Sequence, residues 1–291
     1  MVDQITGGKT LPAEVLEEIL VKTDGVPLFV EELTKTVLES GLLREEGESY
    51  VFAKELTPLA IPATLQDSLM ARLDRLSPVK ETAQIGATIG REFSYRLLDA
   101  ISPIKGAQLE KALRELIESE LIYVRGSPPE ATYIFKHALV QDTAYASLLR
   151  SRRQHIHADI ARALVEQFSD KAESAPAIIA HHYTEAGLHE PAGRYWLAAA
   201  ERALSKSAPT EADRHIVAGL ALVPHLAQGP DRQSLELSLH LAHANALLPL
   251  EGYSTSETLA ALMAAKQMRE SCMSGSVRVA PCKRVEVCRL R

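Results

Sequence analysis

The residues of this chain that could do chemistry are few, and their spacing excludes more than it offers. Gly7-Gly8-Lys9-Thr10 carries the ending of a phosphate-binding loop. Such a loop needs a further glycine five residues ahead of its Gly-Lys pair, and an apolar strand to present it, so that successive backbone N–H groups surround a phosphate. That position is Asp3 and no strand precedes it, so the segment reads as a plain turn. Two histidine pairs, His155 with His157 and His181 with His182, invite a metal reading. Helical ligands that share a face lie three or four residues apart, whereas neighbours at one or two positions point apart. These are read as surface or core histidines, and no metal site is expected. Cys272, Cys282 and Cys288 are the only cysteines, and their spacing makes no close pair of the zinc or redox kind. No Gly-x-Ser-x-Gly elbow, His-Glu-x-x-His helix or Gly-x-Gly-x-x-Gly turn occurs. With no acid, base and nucleophile converging, the chain is not expected to be an enzyme by itself.

The composition sets the frame. Of 291 residues, 46% are hydrophobic, 24% charged and 5% aromatic, the profile of a soluble globular protein of more than one domain. No stretch approaches the roughly 18 to 20 uncharged apolar residues of a membrane-spanning helix, so no membrane partner is expected. The N-terminus lacks a basic stretch followed by an apolar one, and a cytoplasmic location is expected. A net charge of −6 gives no electrostatic reason for a nucleic-acid partner.

The elements that must position any site are mainly helical. Leu11 to Leu43 reads as two helices joined by Thr23-Asp24-Gly25-Val26-Pro27, where Gly25 can take a positive backbone angle and Pro27 suits the first turn of the next helix. Residues 45–60 read as an irregular linker with a short strand at Tyr50-Val51-Phe52. From Ile61 a leucine stripe (Leu65, Leu69, Leu73, Leu76) marks a helix, and Ser77 is expected to cap the next one, which runs to about Gly90. A short helix follows over Tyr95 to Ile101 with Ser94 as its cap. Leu109, Ala112, Leu113, Leu116 and Ile117 form the apolar face of an amphipathic helix over Gly106 to Ser119. The period then becomes extended, predicting a β-hairpin over Leu121 to Val124 and Ala131 to Phe135, and one more helix from His137 to Leu149.

Three helices and a hairpin make a winged-helix domain over 61–150. It carries eleven acidic and eleven basic residues, and its Gly106 helix holds Glu110, Glu115 and Glu118 where a phosphate-facing helix would prefer lysine or arginine. Packing against protein is favoured over reading DNA. Residues 151–269 are a series of alanine- and leucine-rich helices: Gln154 to Phe168, Ala175 to Ala186, Ala192 to Ser207, Glu211 to Leu222, Ser234 to Leu248 and Ser256 to Met268. A helical solenoid of tetratricopeptide type fits them, with Trp196, Ala200, Ala203, Ala212, Ile216, Gly219 and Pro224 in consensus order, or with Tyr183, Gly187, Ala192 and Trp196 in another register; a non-repeating bundle is the alternative. From residue 270 the helical period dissolves, and residues 270–291 read as a degenerate, out-of-frame ending or an ordinary frayed basic terminus.

Three segments, Gly25-Val26-Pro27-Leu28-Phe29-Val30-Glu31-Glu32-Leu33, Ile61-Pro62-Ala63-Thr64-Leu65 and Phe135-Lys136-His137-Ala138-Leu139-Val140-Gln141-Asp142, occur in this order. With their context they resemble the signal-transduction P-loop ATPases with numerous domains (STAND), in particular the bacterial predicted ATPases linked to class III adenylate/guanylate cyclases and followed by tetratricopeptide repeats. The resemblance runs from about Leu11 to Met268. It implies that residues 1–44 are the remnant of a helical lid subdomain, that Gly25 and Pro27 lie where the family packs a proline on the nucleotide base, and that His137 stands where a histidine after the wing reaches the β-phosphate of ADP. Two readings of His137 stand side by side: that phosphate contact, and a helix-start histidine packed against the wing. The family's Met-His-Asp reads Lys136-His137-Ala138 here, without the bracing aspartate.

The family's phosphate loop, its Mg²⁺-binding strand and its cyclase domain would all precede residue 1. The resemblance therefore implies a C-terminal fragment: a non-catalytic regulatory, sensor and protein-interaction piece of a signalling ATPase. It would have no cofactor of its own, with ATP or ADP and Mg²⁺ held by a nucleotide-loaded ATPase domain acting in cis or trans. Its repeats would bind a protein or small ligand. The alternative is a piece of a LuxR-type large ATP-dependent transcription regulator.

Overall fold

A computed structural model of the protein describes residues 1–53 and 64–251, and residues 258–260, 263 and 266 beyond them. The chain is mainly helical and forms two compact units, Met1–Arg153 and Gln154–Arg291. Among the described residues, no helix is long and apolar enough to cross a membrane.

The first unit begins with α1 (Val2–Ile5), α2 (Ala13–Thr23) and α3 (Pro27–Glu39). The turn between α2 and α3 forms as its residues require. Asp24 and Gly25 both take left-handed angles (φ 48° and 69°), which a short polar side chain tolerates and glycine adopts freely. Pro27 then opens α3, where its missing N–H costs no hydrogen bond. Val15 and Ile19 of α2 close on Val30, Leu33 and Val37 of α3 and on Leu43.

The linker expectation holds at its strand, Tyr50-Val51-Phe52, and needs correction before it, while residues 54–60 lie outside the described ones. Strand β1 (Leu43–Glu46) pairs antiparallel with β2 (Ser49–Phe52), Arg44 opposite Val51, and Gly47 turns the chain at φ 62°. Leu-Arg-Glu-Glu lacks apolar alternation, so the first strand of this hairpin gives no sequence signal. Thr10 bonds alongside: its N–H donates to the Glu48 carbonyl at 3.1 Å and its carbonyl accepts from Tyr50 at 2.8 Å.

The helix expected from Ile61 is described from its cap at Thr64, residues 61–63 lying outside the described ones. The Thr64 hydroxyl accepts from the Asp67 N–H at 3.0 Å and donates to the Asp67 carboxylate at 2.7 Å, starting α4 (Leu65–Arg75). Leu69 and Leu73 of its stripe are buried. Ser77 is not the next cap, for it is already the first residue of α5 (Ser77–Ile89), with Leu76 flanking it. Ser94 does cap α6 (Tyr95–Ile101), accepting from Leu97 at 3.3 Å. The amphipathic helix is α7 (Ala107–Glu118), with Leu109, Ala112, Leu113 and Leu116 buried as its period requires.

The wing is a three-stranded sheet rather than a hairpin alone. Strands β4 (Ile122–Arg125) and β5 (Thr132–Phe135) pair antiparallel, and β3 (Glu92–Ser94) adds to the far side of β5. Three residues are too few for a period-2 pattern, so β3 escaped detection. The sheet and α4 to α7 make the winged-helix arrangement, which α8 (Ala138–Ala146) follows. Its core turns on Phe93, whose ring lies 5.6 Å from those of both Tyr133 and Phe135.

Helix α9 (Arg150–Gln167) leads into the second unit, which continues with α10 (Ser169–Ser174), α11 (Pro176–Glu185), α12 (His189–Ser205), α13 (Pro209–Leu222), a 3-10 turn at Val223–His225 and α14 (Pro230–Glu251). Helix α9 starts four residues earlier than its sequence pattern suggests, and α10 had no signal. Each of α11 to α13 packs on the next, and α14 also returns to α12. Small residues make the seams: Ala200, Ala203, Ala212, Ala242 and Ala246 surround Ile216. The helix expected over Ser256 to Met268 falls outside the described residues except at positions 258–260, 263 and 266, which are helical, and so does the whole 270–291 tail.

A Cβ added at Gly86 would lie 2.8 Å from the buried ring of Phe93, which Tyr133 and Phe135 hold from behind. Alanine is the better helix former by about 1 kcal/mol, but overpacking costs about 1–3 kcal/mol. Gly86→Ala is therefore expected to lower the Tm, and a thermal melt that shows it raised would overturn this account of the core.

Candidate functional site

The candidate site is built where α3 meets the winged helix. Asp24 to Pro27 are exposed, and a Cβ at Gly25 would meet nothing within 4 Å, so this corner is open to a partner or ligand. His137 is the N-cap residue of α8, half-buried, with extended backbone and no side-chain capping bond. Its Nε2 is buried without a hydrogen-bond partner. A buried ring nitrogen in that state carries unspent hydrogen-bonding capacity, while the position itself is the helix start expected of it.

What joins these residues is a set of ion pairs that the sequence did not disclose. Lys136, immediately before His137, bonds Glu31 at 2.9 Å and Glu120 at 3.1 Å. Lys35 bonds Glu31 at 2.8 Å, one turn along α3, and also reaches Glu120. Glu31 itself lies one turn after Pro27. Glu120 sits at φ 55°, the left-handed bend that ends α7 and aims its carboxylate at both lysines. Hydrogen bonds from Lys35 and then Lys136 outweigh burial and hold the Glu31 carboxyl down at about 2; the same lysines lower Glu120. Burial pulls the Lys136 ammonium down, but its bonds to Glu31 and Glu120 prevail and leave it raised.

Behind this half-exposed ring lies a dry one. The side chains of Arg72 on α4 and Glu32 on α3 are each 2% exposed and pair directly. Arg72 Nε also donates to Glu39 at 3.2 Å and its second terminal nitrogen donates to the Ser119 carbonyl at 2.7 Å. Ser68 donates to the Glu32 carbonyl at 3.3 Å and shares a hydrogen bond with Thr36, and Arg75 donates to the Thr36 carbonyl at 3.2 Å. A surface depression of about 470 Å³ opens beside these groups, lined by Glu39, Arg72, Arg75, Leu76, Glu115, Glu118 and Ser119. It does not include Gly25, Pro27 or His137.

The first motif therefore touches the third directly through Glu31 and Lys136, and touches the helix started by the second through Glu32 and Arg72. The partners were hidden because Glu31, Glu32, Lys35 and Arg72 sit in helices where charge ordinarily marks the solvent face. The weak signal was two adjacent glutamates, one of which must turn toward the apolar side of α3.

The Gly7-Gly8-Lys9-Thr10 segment forms the plain turn expected of it. Gly7 and Gly8, at φ 65° and 83°, make a turn between α1 and the Thr10 bridge, and Lys9 is engaged by Glu45. In the second unit His157 and His182, from α9 and α11, approach Nδ1 to Nδ1 at 2.8 Å. Two ligands of a tetrahedral zinc stand about 3.3 Å apart, so this is a hydrogen bond between imidazoles. Among the described residues no group of three or more His, Cys, Asp or Glu is placed to hold a metal ion.

No family model matches the chain. An uncharacterized protein of Rhizobium meliloti (strain 1021) is 28% identical over 232 residues, which cover 79% of this chain. The match spans 22% of that protein's length, so the chain corresponds to about a fifth of its relative.

Two outcomes test the junction. Arg72→Met leaves Glu32 buried and unpaired, at a cost of about 3–5 kcal/mol, whereas Arg72→Met with Glu32→Leu removes both charges and is expected to recover most of that loss. Urea unfolding of the two variants separates them, and equal midpoints would refute a buried pair. The second outcome concerns acid. Because the Glu31 carboxyl is depressed from 4.5 to about 2, its contribution is present above pH 4.5 and lost as the pH falls toward 2. Lys136→Met is expected to shrink the stability difference between pH 7 and pH 3 by about 1 kcal/mol, the scale of a partly exposed pair. An unchanged difference in urea midpoints would count against the ring.

Proposed function

We propose that the chain is a regulatory module of a STAND-type signalling ATPase of the cyclase-linked group, without catalysis of its own. In this reading the first unit is the arm that completes a nucleotide site on an ATPase domain supplied in cis or trans. Pro27 packs on the base and His137 offers Nε2 to a phosphate, while the phosphate loop and Mg²⁺ ligands belong to that domain. The second unit, read as tetratricopeptide-like, binds a protein or small ligand and biases the arm.

The observation that carries this reading is the Glu31–Lys136 and Glu32–Arg72 linkage, which ties the helix behind Pro27 to the residue before His137. A site assembled from two such distant segments can respond as one piece. Further support comes from α2, which leaves Leu16, Leu20 and Val21 exposed, with Val26 alongside them in sequence at the open corner, an apolar edge suited to a docking domain. The exposed face of α7 mixes Glu110, Lys111, Arg114 and Glu118, which favours protein over DNA. The length of the Rhizobium relative accords with a module that works inside a larger protein.

Calorimetry tests the reading. ATP or ADP titrated into the chain alone is expected to give no binding heat, since backbone amides at a phosphate loop supply the grip. With a P-loop domain from the same locus added, ADP binding is expected, and His137→Ala should weaken it about tenfold, the scale of one lost hydrogen bond to a charged group. Micromolar binding by the chain alone, or indifference to His137→Ala, would overturn the proposal.

A further inference from the structure

Nine of the ten histidines lie between Gln154 and Glu251, and three of them form one cluster. His157 and His182 are 1% and 3% exposed, and their Nδ1 atoms stand 2.8 Å apart. A bond between two Nδ1 atoms requires one ring to donate and the other to accept, so the neutral pair holds one proton between the rings. The third member, His181, is exposed at the rim, its ring 5.9 Å from that of His157 and 5.5 Å from that of His182.

We propose that the His157–His182 pair is an acid-sensitive latch between α9 and α11. Only the neutral pair fits. One added proton, placed on the far nitrogen of the donor ring, keeps the hydrogen bond but leaves a cation buried in the helix packing. A second puts two N–H groups head to head and breaks it. Each step takes a proton from water and needs no other reactant.

No carboxylate is among the charges that act on His182. On α9, Asp159 is engaged by Arg162 at 3.1 Å in solvent, and His155 and Glu166 complete the helix's ionisable set near the pair. Helix α10 contributes Asp170 and Glu173, and α11 contributes His181, Tyr183 and the exposed Glu185. On α12, Glu190 and Arg194 pair with each other at 2.7 Å, Tyr195 stacks on Tyr183 at 5.7 Å, and Glu201 and Arg202 lie two turns further on. The charges that act on His182 are those of His157 and His181, both repelling a proton, and with burial as the larger cause they push it down to about 3.

The sign follows. A histidine kept neutral in the folded state takes up its proton only on unfolding, so stability is full above the unfolded value near 6.5 and is lost as the pH falls below it. Trp196 is the chain's single tryptophan, and its indole N–H donates at 3.0 Å to Thr184, two residues after His182 on α11. Its fluorescence therefore reports the latch from within the full-length chain.

The experiment is urea unfolding followed by Trp196 fluorescence at pH 6.5 and pH 5.5. Over this interval each imidazole held neutral raises the unfolding constant about fivefold, about 30-fold for both. The double variant His157→Gln with His182→Leu is expected to lose that excess. Should the variant fail to fold, the histidine ring resonances of the wild-type protein decide: His157 and His182 are expected not to titrate between pH 7 and pH 5. The same pH dependence in variant and wild type, or a midpoint near 6.5 for either buried ring, would overturn the latch.

Discussion

The first unit depends on one guanidinium. Arg72 spends its nitrogens on Glu32, on Glu39 and on the carbonyl of Ser119, so a single side chain of α4 holds two positions of α3 and the end of α7. Removing such charges from water costs several kcal/mol each, and their attraction returns that cost only when every partner is in place. The pairing therefore contributes less to net stability than to uniqueness. Moving α3 away from α4 would break the Arg72 bonds to Glu32 and Glu39 at once. The Thr36, Ser68 and Arg75 bonds extend the same requirement along the seam.

Around this dry contact the Glu31, Lys35, Glu120 and Lys136 ring is wetter and weaker, as exposed pairs are. The two layers divide the labour. The inner one fixes which helix face meets the winged helix, and the outer one sets the alignment of Pro27 with the start of α8. The nucleotide-completing arm proposed above needs both, because it must present two distant groups together. The buried, unpartnered Nε2 of His137 is tolerable in such an arm, since a ligand could satisfy it.

Long periodic elements were legible in the sequence, and short or polar ones were not. The apolar face of α7, the Ser94 cap and the turn at Asp24-Gly25 all follow from residue type and spacing. Strand β1 escaped because Leu-Arg-Glu-Glu has no alternation, and β3 because three residues hold no period. Resemblance singled out Gly25, Pro27 and His137 as candidates, but not the charges that join their segments. A buried Glu32 looks the same in sequence as an exposed one, and only the fold brings Lys136 to a residue 105 positions away. The histidines were read as surface or core side chains, which His155 and His181 at the surface and His157 and His182 in the core bear out; what the sequence hid is the contact between helices, 25 residues apart.

The glycines of the second unit bear on how its helices can move. A Cβ at Gly193 of α12 would lie 2.7 Å from Leu235, and one at Gly219 of α13 would lie 2.9 Å from Leu239. Both leucines belong to α14, one turn apart, and each is lodged over a glycine of a different helix. The arrangement works like two pins in two separate notches. Because one helix carries both leucines, any sliding of α14 displaces both contacts together, so its seams with α12 and α13 are geared to one another.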